Sequence, residues 1–189
     1  MKKYELLKDD TIEVAGKTLF RIKALISFKD IRKGEIGGYV EAERNLSQSG
    51  NAWVTGNAWV CDDAWVSGNA RVTGNARVSD NAWVSGNACV TGNAWVCDDA
   101  WVSGNAWVTG NAWVSGNAWV ETSNDYIVFK NNWSSFRWFT YTKSNKMWRV
   151  GCFYGTGDEL IKEAYADSEE SGRKYELYVN LVKELYRDE

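Results

Sequence analysis

Asn51-Ala-Trp-Val-Thr-Gly56 opens a run in which one six-residue phrase occurs twelve times, the last ending at Trp119-Val120. A period this strict is read before anything else, because it fixes the architecture between its two ends. Valine falls at 54, 60, 66 and every sixth position to 120, with alanine two residues before each. Each phrase is a short Ala-X-Val strand in which alternate side chains share a face, so Ala and Val point one way and X the other.

If three phrases make one turn, residues 18 apart stack, and stacked positions should look alike. The residue after valine is Thr55, Thr73, Thr91 and Thr109 in one column, Ser67, Ser85 and Ser103 in another, and Cys61, Ser79, Cys97 and Ser115 in the third. A corner in the same register is acidic, with Asp62, Asp63, Asp80, Asp98 and Asp99. A bare six-residue period would not sort Thr from Ser from Cys and Asp. The expectation is a three-sided prism of four regular coils with 18 residues per coil, about 19 Å tall at roughly 4.8 Å per stacked strand. Gly-Asn pairs such as Gly56-Asn57 mark its corners, where Gly accepts positive φ. Stacked asparagines along each edge bond to one another and are structural.

The variable residue X faces outward. Its columns read Trp53, Arg71, Cys89, Trp107; Trp59, Arg77, Trp95, Trp113; and Trp65, Trp83, Trp101, Trp119. At on the order of 100 Å² of outward apolar area per ring, the unbroken third column is a patch of roughly 400 Å², about as much as a soluble monomer leaves bare.

The flanks lack the repeat. Tyr4-Leu7, Thr11-Val14 and Thr18-Ile26 are strand-like, with Asp9-Asp10 and Ala15-Gly16-Lys17 as turns, which suggests a β-hairpin that caps the prism. Gly34-Glu-Ile-Gly-Gly-Tyr-Val-Glu41 leads into an imperfect first coil, in which Val40 and Leu46 are in phase with Ala52. After Val120, strands at Tyr126-Lys130, Phe136-Thr142 and Met147-Phe153 precede a helix opened by a Thr156-to-Glu159 capping box. A last helix, from about Arg173 to Tyr186, places Leu177, Leu181, Val182 and Leu185 on one stripe. The expected division is 1–36 for the N-terminal β cap, 37–121 for the repeat and 122–189 for a small α+β unit of βββαα order.

The chain has 189 residues, a net charge of −3, no proline and no histidine. That charge gives no electrostatic case for nucleic acid or lipid. Cys61, Cys89, Cys97 and Cys152 show neither metal-ligand nor disulfide-framework spacing, which points to a reducing, cytoplasmic setting. No run of eighteen apolar residues offers a membrane span.

The Ala-X-Val phrase with Gly/Asp-Asn/Asp corners resembles the hexapeptide repeat of left-handed parallel β-helix proteins, which implies the fold and its left hand. The opening Gly34-to-Glu41 segment, Asn45-Leu-Ser-Gln48, the tandem NAWVSG-like phrases and Gly151-Cys-Phe-Tyr-Gly-Thr156 together resemble a group of bacterial and phage proteins, some labelled acyltransferase-like. The acyltransferases of this fold use a histidine base and its γ-type carbonic anhydrases hold zinc with histidines. This chain has neither group to offer, so the expectation is a non-enzyme without cofactor. An acyltransferase using a carboxylate base is the alternative.

Three surfaces are candidate sites. The face of Trp65, Trp83, Trp101 and Trp119 suits a protein partner or self-association as a trimer or dimer, since large rigid aromatics dominate interface energetics; the plainer reading is rings that stabilise their own solenoid by stacking. The face of Trp59, Arg77, Trp95 and Trp113 suits a glycan or nucleotide through stacking; the plainer reading is arginines that break up an apolar wall. The edge of Asp62, Asp63, Asp80, Asp98 and Asp99 is a weak candidate for calcium, against a solvated corner in which Asp replaces Asn or Gly.

Overall fold

The computed structural model describes residues 1–187, so the last two residues of the expected 122–189 unit lie outside it. Twelve two-residue strands, β4 to β15, run from Trp53–Val54 to Trp119–Val120, one per phrase. Their pairing is parallel between residues 18 apart: Trp53, Arg71, Cys89 and Trp107 on a first face, Trp59, Arg77, Trp95 and Trp113 on a second, Trp65, Trp83, Trp101 and Trp119 on a third. Every repeat alanine and valine is buried, at most 1% exposed. The prism interior is therefore made of methyl groups, as the alternation requires.

The corners turn through positive φ, and stacking leaves them no spare volume. Gly86 has φ 63°, and a Cβ there would lie 2.9 Å from the Gly104 nitrogen. Asp62, Asp80 and Asp98 occupy the equivalent position of one of the other two corners at φ 61°, 59° and 58°, a conformation that Asp tolerates better than most residues. Along the edges Asn51 donates to Asn69 at 2.8 Å, Asn69 to Asn87 at 3.0 Å and Asn87 to Asn105 at 3.1 Å. Asn57, Asn75, Asn93 and Asn111 form a second ladder.

The first coil differs from the expected phase. β3 (Ile36–Val40) lies parallel to the second face with Val40 beside Val60, and Leu46 bridges to Val66. Both therefore take valine positions rather than alanine positions. The register is 20 residues up to Ser47, whose N–H bonds Val66, and 18 from Asn51, whose N–H bonds Gly68. Gln48 and Ser49 are the two extra residues. The bulge has a use: Gln48 Oε1 accepts the Lys3 N–H at 2.8 Å and ties the N-terminus to the prism. Gly38 allows β3 to approach, since a Cβ there would meet Ala58 O at 2.5 Å.

β1 (Tyr4–Val14) and β2 (Lys17–Ala24) form the expected hairpin and extend the second face through β3 into a seven-stranded sheet. The turn lies at Ala15-Gly16, but Asp9-Asp10 is no turn. It belongs to a bulge inside β1, between the pairs Leu7–Arg21 and Thr11–Phe20.

Each coil donates its N–H groups to the carbonyls of the next, as in Trp95 N to Ala112 O at 2.9 Å. One end of the prism therefore shows acceptors and the other donors, and the flanks answer in kind. At the first end Lys3 Nζ donates to Ala52 O at 2.9 Å, Arg21 Nη1 to Gly56 O at 3.1 Å and Asn45 Nδ2 to Ala64 O at 2.9 Å. At the last end hydroxyls accept: Tyr126 Oη from Thr109 N at 3.2 Å, Thr140 Oγ1 from Trp113 N at 2.9 Å and Ser144 Oγ from Trp119 N at 2.7 Å.

Those hydroxyls sit on or beside an antiparallel sheet of β16 (Tyr126–Lys130), β17 (Trp138–Thr142), β18 (Met147–Val150) and β19 (Phe153–Gly155). It has four strands rather than three because Gly151, at φ 59°, turns the chain after Val150. Helix α1 (Gly157–Asp167) opens with the expected box, Glu159 N to Thr156 Oγ1 at 3.3 Å and Thr156 N to Glu159 Oε2 at 2.8 Å. Helix α2 (Glu169–Leu185) packs Tyr175, Val179 and Val182 against Phe139 and Trp148. The expected leucine stripe is divided: Val182 faces in, whereas Leu177, Leu181 and Leu185 face out. Among the described residues no helix is long and apolar enough to cross a membrane.

Candidate interaction surface

The third face carries four indoles in one stack. Ring centroids are 5.2 Å apart from Trp65 to Trp83, 4.9 Å from Trp83 to Trp101 and 5.3 Å from Trp101 to Trp119, with the middle pair within 1° of parallel. The rings are 41%, 37%, 38% and 48% exposed, so stacking covers their faces and leaves a continuous wall of edges to solvent. Their orientation is held by a second contact. Trp83, Trp101 and Trp119 Nε1 donate to Ser67, Ser85 and Ser103 Oγ, each at 3.3 Å.

The second face is closed by its own cations. Trp95 and Trp113 stack at 4.5 Å, Arg77 lies 5.9 Å from both Trp59 and Trp95, and Arg149 covers Trp113 at 4.0 Å. Trp59, Trp95 and Trp113 are half-buried. Flat ring faces of the kind a sugar or base stacks on are thus already occupied in this column.

On the first face Trp53 points out of the prism as expected and is then roofed by the N-terminal segment, with Phe28 at 5.5 Å and Tyr4 at 6.2 Å. It is fully buried, and among the described residues its Nε1 meets no acceptor. Arg71 is paired with Asp30, and burial pulls its pKa down. Trp107 is left 58% exposed at the last coil.

The acidic edge satisfies itself. Glu41 Oε2 accepts the Asp62 N–H at 2.7 Å, Asp80 Oδ2 the Asp98 N–H at 3.4 Å, and Asp98 Oδ2 the Gly116 N–H at 2.9 Å. Lys17 pairs with Asp62, and Arg44 with Asp63 at 3.4 Å. Glu41, Cys61 and Asp62, and likewise Asp80, Cys97 and Asp98, bring potential metal ligands together, while Asp99 accepts from Asn81 at 3.0 Å. Each carboxylate with a capping duty to the next coil needs no ion to explain it.

The thiols of that edge are quiet. Burial, offset in part by Lys17, pushes Cys61 up to about 11. Burial pushes Cys97 up to about 12 with Asp98 and Asp80 adding to it, although Trp113 Nε1 donates to its sulfur at 3.0 Å. Burial thus disfavours the thiolate form of both, the form in which a cysteine acts as a nucleophile.

Reading the sequence alone missed the indole acceptors. Their signal lies in the columns: Ser67, Ser79, Ser85, Cys97 and Ser103 each stand sixteen residues before a tryptophan. Thr55 and Thr73 stand sixteen before Arg71 and Cys89. Two residues break the pattern: Cys61, before Arg77, donates its S–H to Asp62 Oδ2 at 2.7 Å, and Thr91, before Trp107, accepts instead from Thr73 at 2.8 Å.

Residues 64–80, 82–98 and 100–116 match the YdcK beta solenoid repeat. The chain is a β-solenoid repeat protein. No curated protein matches its sequence. The three matches fall in successive coils of the prism and leave both flanks unmatched.

Proposed function

We propose that the protein is a non-catalytic interaction protein that binds a protein partner through the third face. The observation that carries this reading is the exposure of all four rings there, 37% to 48%, in a column with no charged X residue to break it. Self-stacking accounts for the ring faces but not for retaining the largest apolar side chain at every rung. A pre-ordered row loses little rotamer freedom on binding, which favours affinity.

A non-catalytic role is supported by the lack of histidine and by thiols held well above neutrality. The free cysteines fit a cytoplasmic setting. The resemblance to phage-borne repeat proteins makes a host protein, such as a defence component, the class of partner to seek. A photo-crosslinking residue in place of Trp101 should capture that protein from the lysate of the cell in which the chain is expressed. The same residue in place of Arg77 should not. Equal capture from both positions, or capture from neither, overturns the reading.

A further inference from the structure

The outer stripe of α2 takes no part in that reading and carries an inference of its own. Leu177, Leu181 and Leu185 are 65%, 46% and 58% exposed, four residues apart, on the side of the helix turned away from Tyr175, Val179 and Val182. Beside them opens a cleft of about 410 Å³ between Trp133 and the helix, rimmed by Lys174, Leu177, Tyr178 and Leu181. Three exposed leucines on one helix face are more than solubility favours.

We propose that this stripe is a homodimer contact in which α2 packs antiparallel against α2 of a second copy. The argument for a second copy is the order of residues along the stripe. Lys174 stands one turn before Leu177, and Glu184 one turn after Leu181. An antiparallel pair with its two-fold axis at the level of Val179 sets Leu177 against Leu181 of the second copy, and Lys174 opposite its Glu184. Symmetry then makes each contact twice. Leu185 of the second copy reaches the level of Arg173 and Lys174, beside the Trp133 cleft. A sequence that reads basic, Leu, Leu, acidic is its own complement only in this orientation.

The present partners of those charges do not oppose it. Lys174, half-buried, pairs with Glu170 at 2.5 Å and stands 5.4 Å over the Trp133 ring, whereas Glu184 pairs with Arg187 at 2.7 Å on the surface. Exposed pairs of this kind are worth well under about 1 kcal/mol. A helix of 17 residues is about 25 Å long, which places the buried area at the low end of specific interfaces. The dimer is therefore weak and reversible.

Sedimentation velocity on the full chain, from micromolar to near-millimolar concentration, tests this. A concentration-dependent dimer is expected. Leu177→Glu/Leu181→Glu should weaken it by at least about tenfold, with the circular dichroism spectrum and melting unchanged because both side chains are already exposed. Lys174→Glu and Glu184→Lys should each weaken it and the two together restore it. Rescue of this kind requires that position 174 of one copy face position 184 of the other. A chain that stays monomeric throughout, a dimer indifferent to the leucine changes, or a charge-swapped double variant no better than the single ones overturns the inference. The proposed partner face is separate, and Trp83→Ser/Trp101→Ser should leave this dimer intact. A dimer lost there and kept in the leucine variant would move self-association to the prism.

Discussion

The indole N–H of Trp95 donates to Ser79 Oγ across 3.0 Å, reaching sixteen residues back to the residue that follows valine in the preceding coil. Four more tryptophans repeat the contact, to Ser67, Ser85, Cys97 and Ser103. The column after valine is thus a row of seats for indoles, and it couples the outer wall of one coil to the corner of the coil before it.

Ser79→Ala should therefore destabilise the solenoid by about 1 kcal/mol, the usual net worth of a partly buried hydrogen bond. Ser79→Thr, which keeps the hydroxyl, should recover most of that. Urea melts of the three proteins check it, and an alanine variant with native stability would show the bond to be idle.

The polarity of the stack leaves N–H groups at its last end for the C-terminal unit to accept. Thr140 is 1% exposed, and its hydroxyl accepts the Trp113 N–H at 2.9 Å. Thr140→Val keeps the shape, removes the acceptor and leaves a buried N–H unpaired. The expected cost is about 1 to 3 kcal/mol, with Thr140→Ser well tolerated. Thermal melts followed by circular dichroism distinguish the two.

The opposite end makes a prediction about pH. Lys3 is 2% exposed, and burial, with Arg71 adding to it, lowers its pKa from 10.5 to about 8. Below pH 8 the ammonium is charged in both the folded and unfolded chain, and its burial cost is fully present. Between about 8 and 10.5 the unfolded chain holds a proton that the folded one has shed, so this group makes the native state gain stability as pH rises. The stability of the native chain minus that of Lys3→Met should increase across that window. Paired denaturant melts at several pH values measure it, and a flat difference would contradict the assignment.

Thiol labelling gives a further check on the packing. Cys152 is exposed, Cys89 half-buried, and Cys61 and Cys97 buried with raised pKa. With Ellman's reagent in native buffer Cys152 should react first and Cys61 and Cys97 not until denaturant is added. Prompt reaction of Cys97 would mean that the Trp113–Cys97 contact is open in solution.

The prism was legible in the sequence because its stacking imposes a rule on every coil. Thr73 beside Thr91 and Asn69 beside Asn87 are chemical likenesses that only an 18-residue turn explains. Where the rule lapses, legibility does too. Two inserted residues, Gln48 and Ser49, shift Val40 and Leu46 into valine positions, and period arithmetic cannot see an insertion that has no repeat to compare with. Trp53 shares its column with the exposed Trp107 but is roofed by Phe28 and Tyr4, long-range contacts that no column records. Helix α2 is apolar on two sides, since Tyr175, Val179 and Val182 recur at helical spacings of four and three residues, beside the leucines at spacings of four. Periodicity alone placed Val182 with the leucines, and tertiary packing separated them. Of the candidate sites, the third-face ladder was legible as geometry, whereas the closing of the second face by Arg149 came from a distant strand.

The most direct test of the account compares what the native chain, Trp83→Ser/Trp101→Ser and Trp95→Ser retain from the lysate of the cell that hosts it. All three keep the Ala and Val interior and should fold. The prediction is a protein retained by the native chain and by Trp95→Ser and lost from the third-face variant. An identical set of retained proteins from all three would contradict the claim that the exposed indole wall is the binding surface.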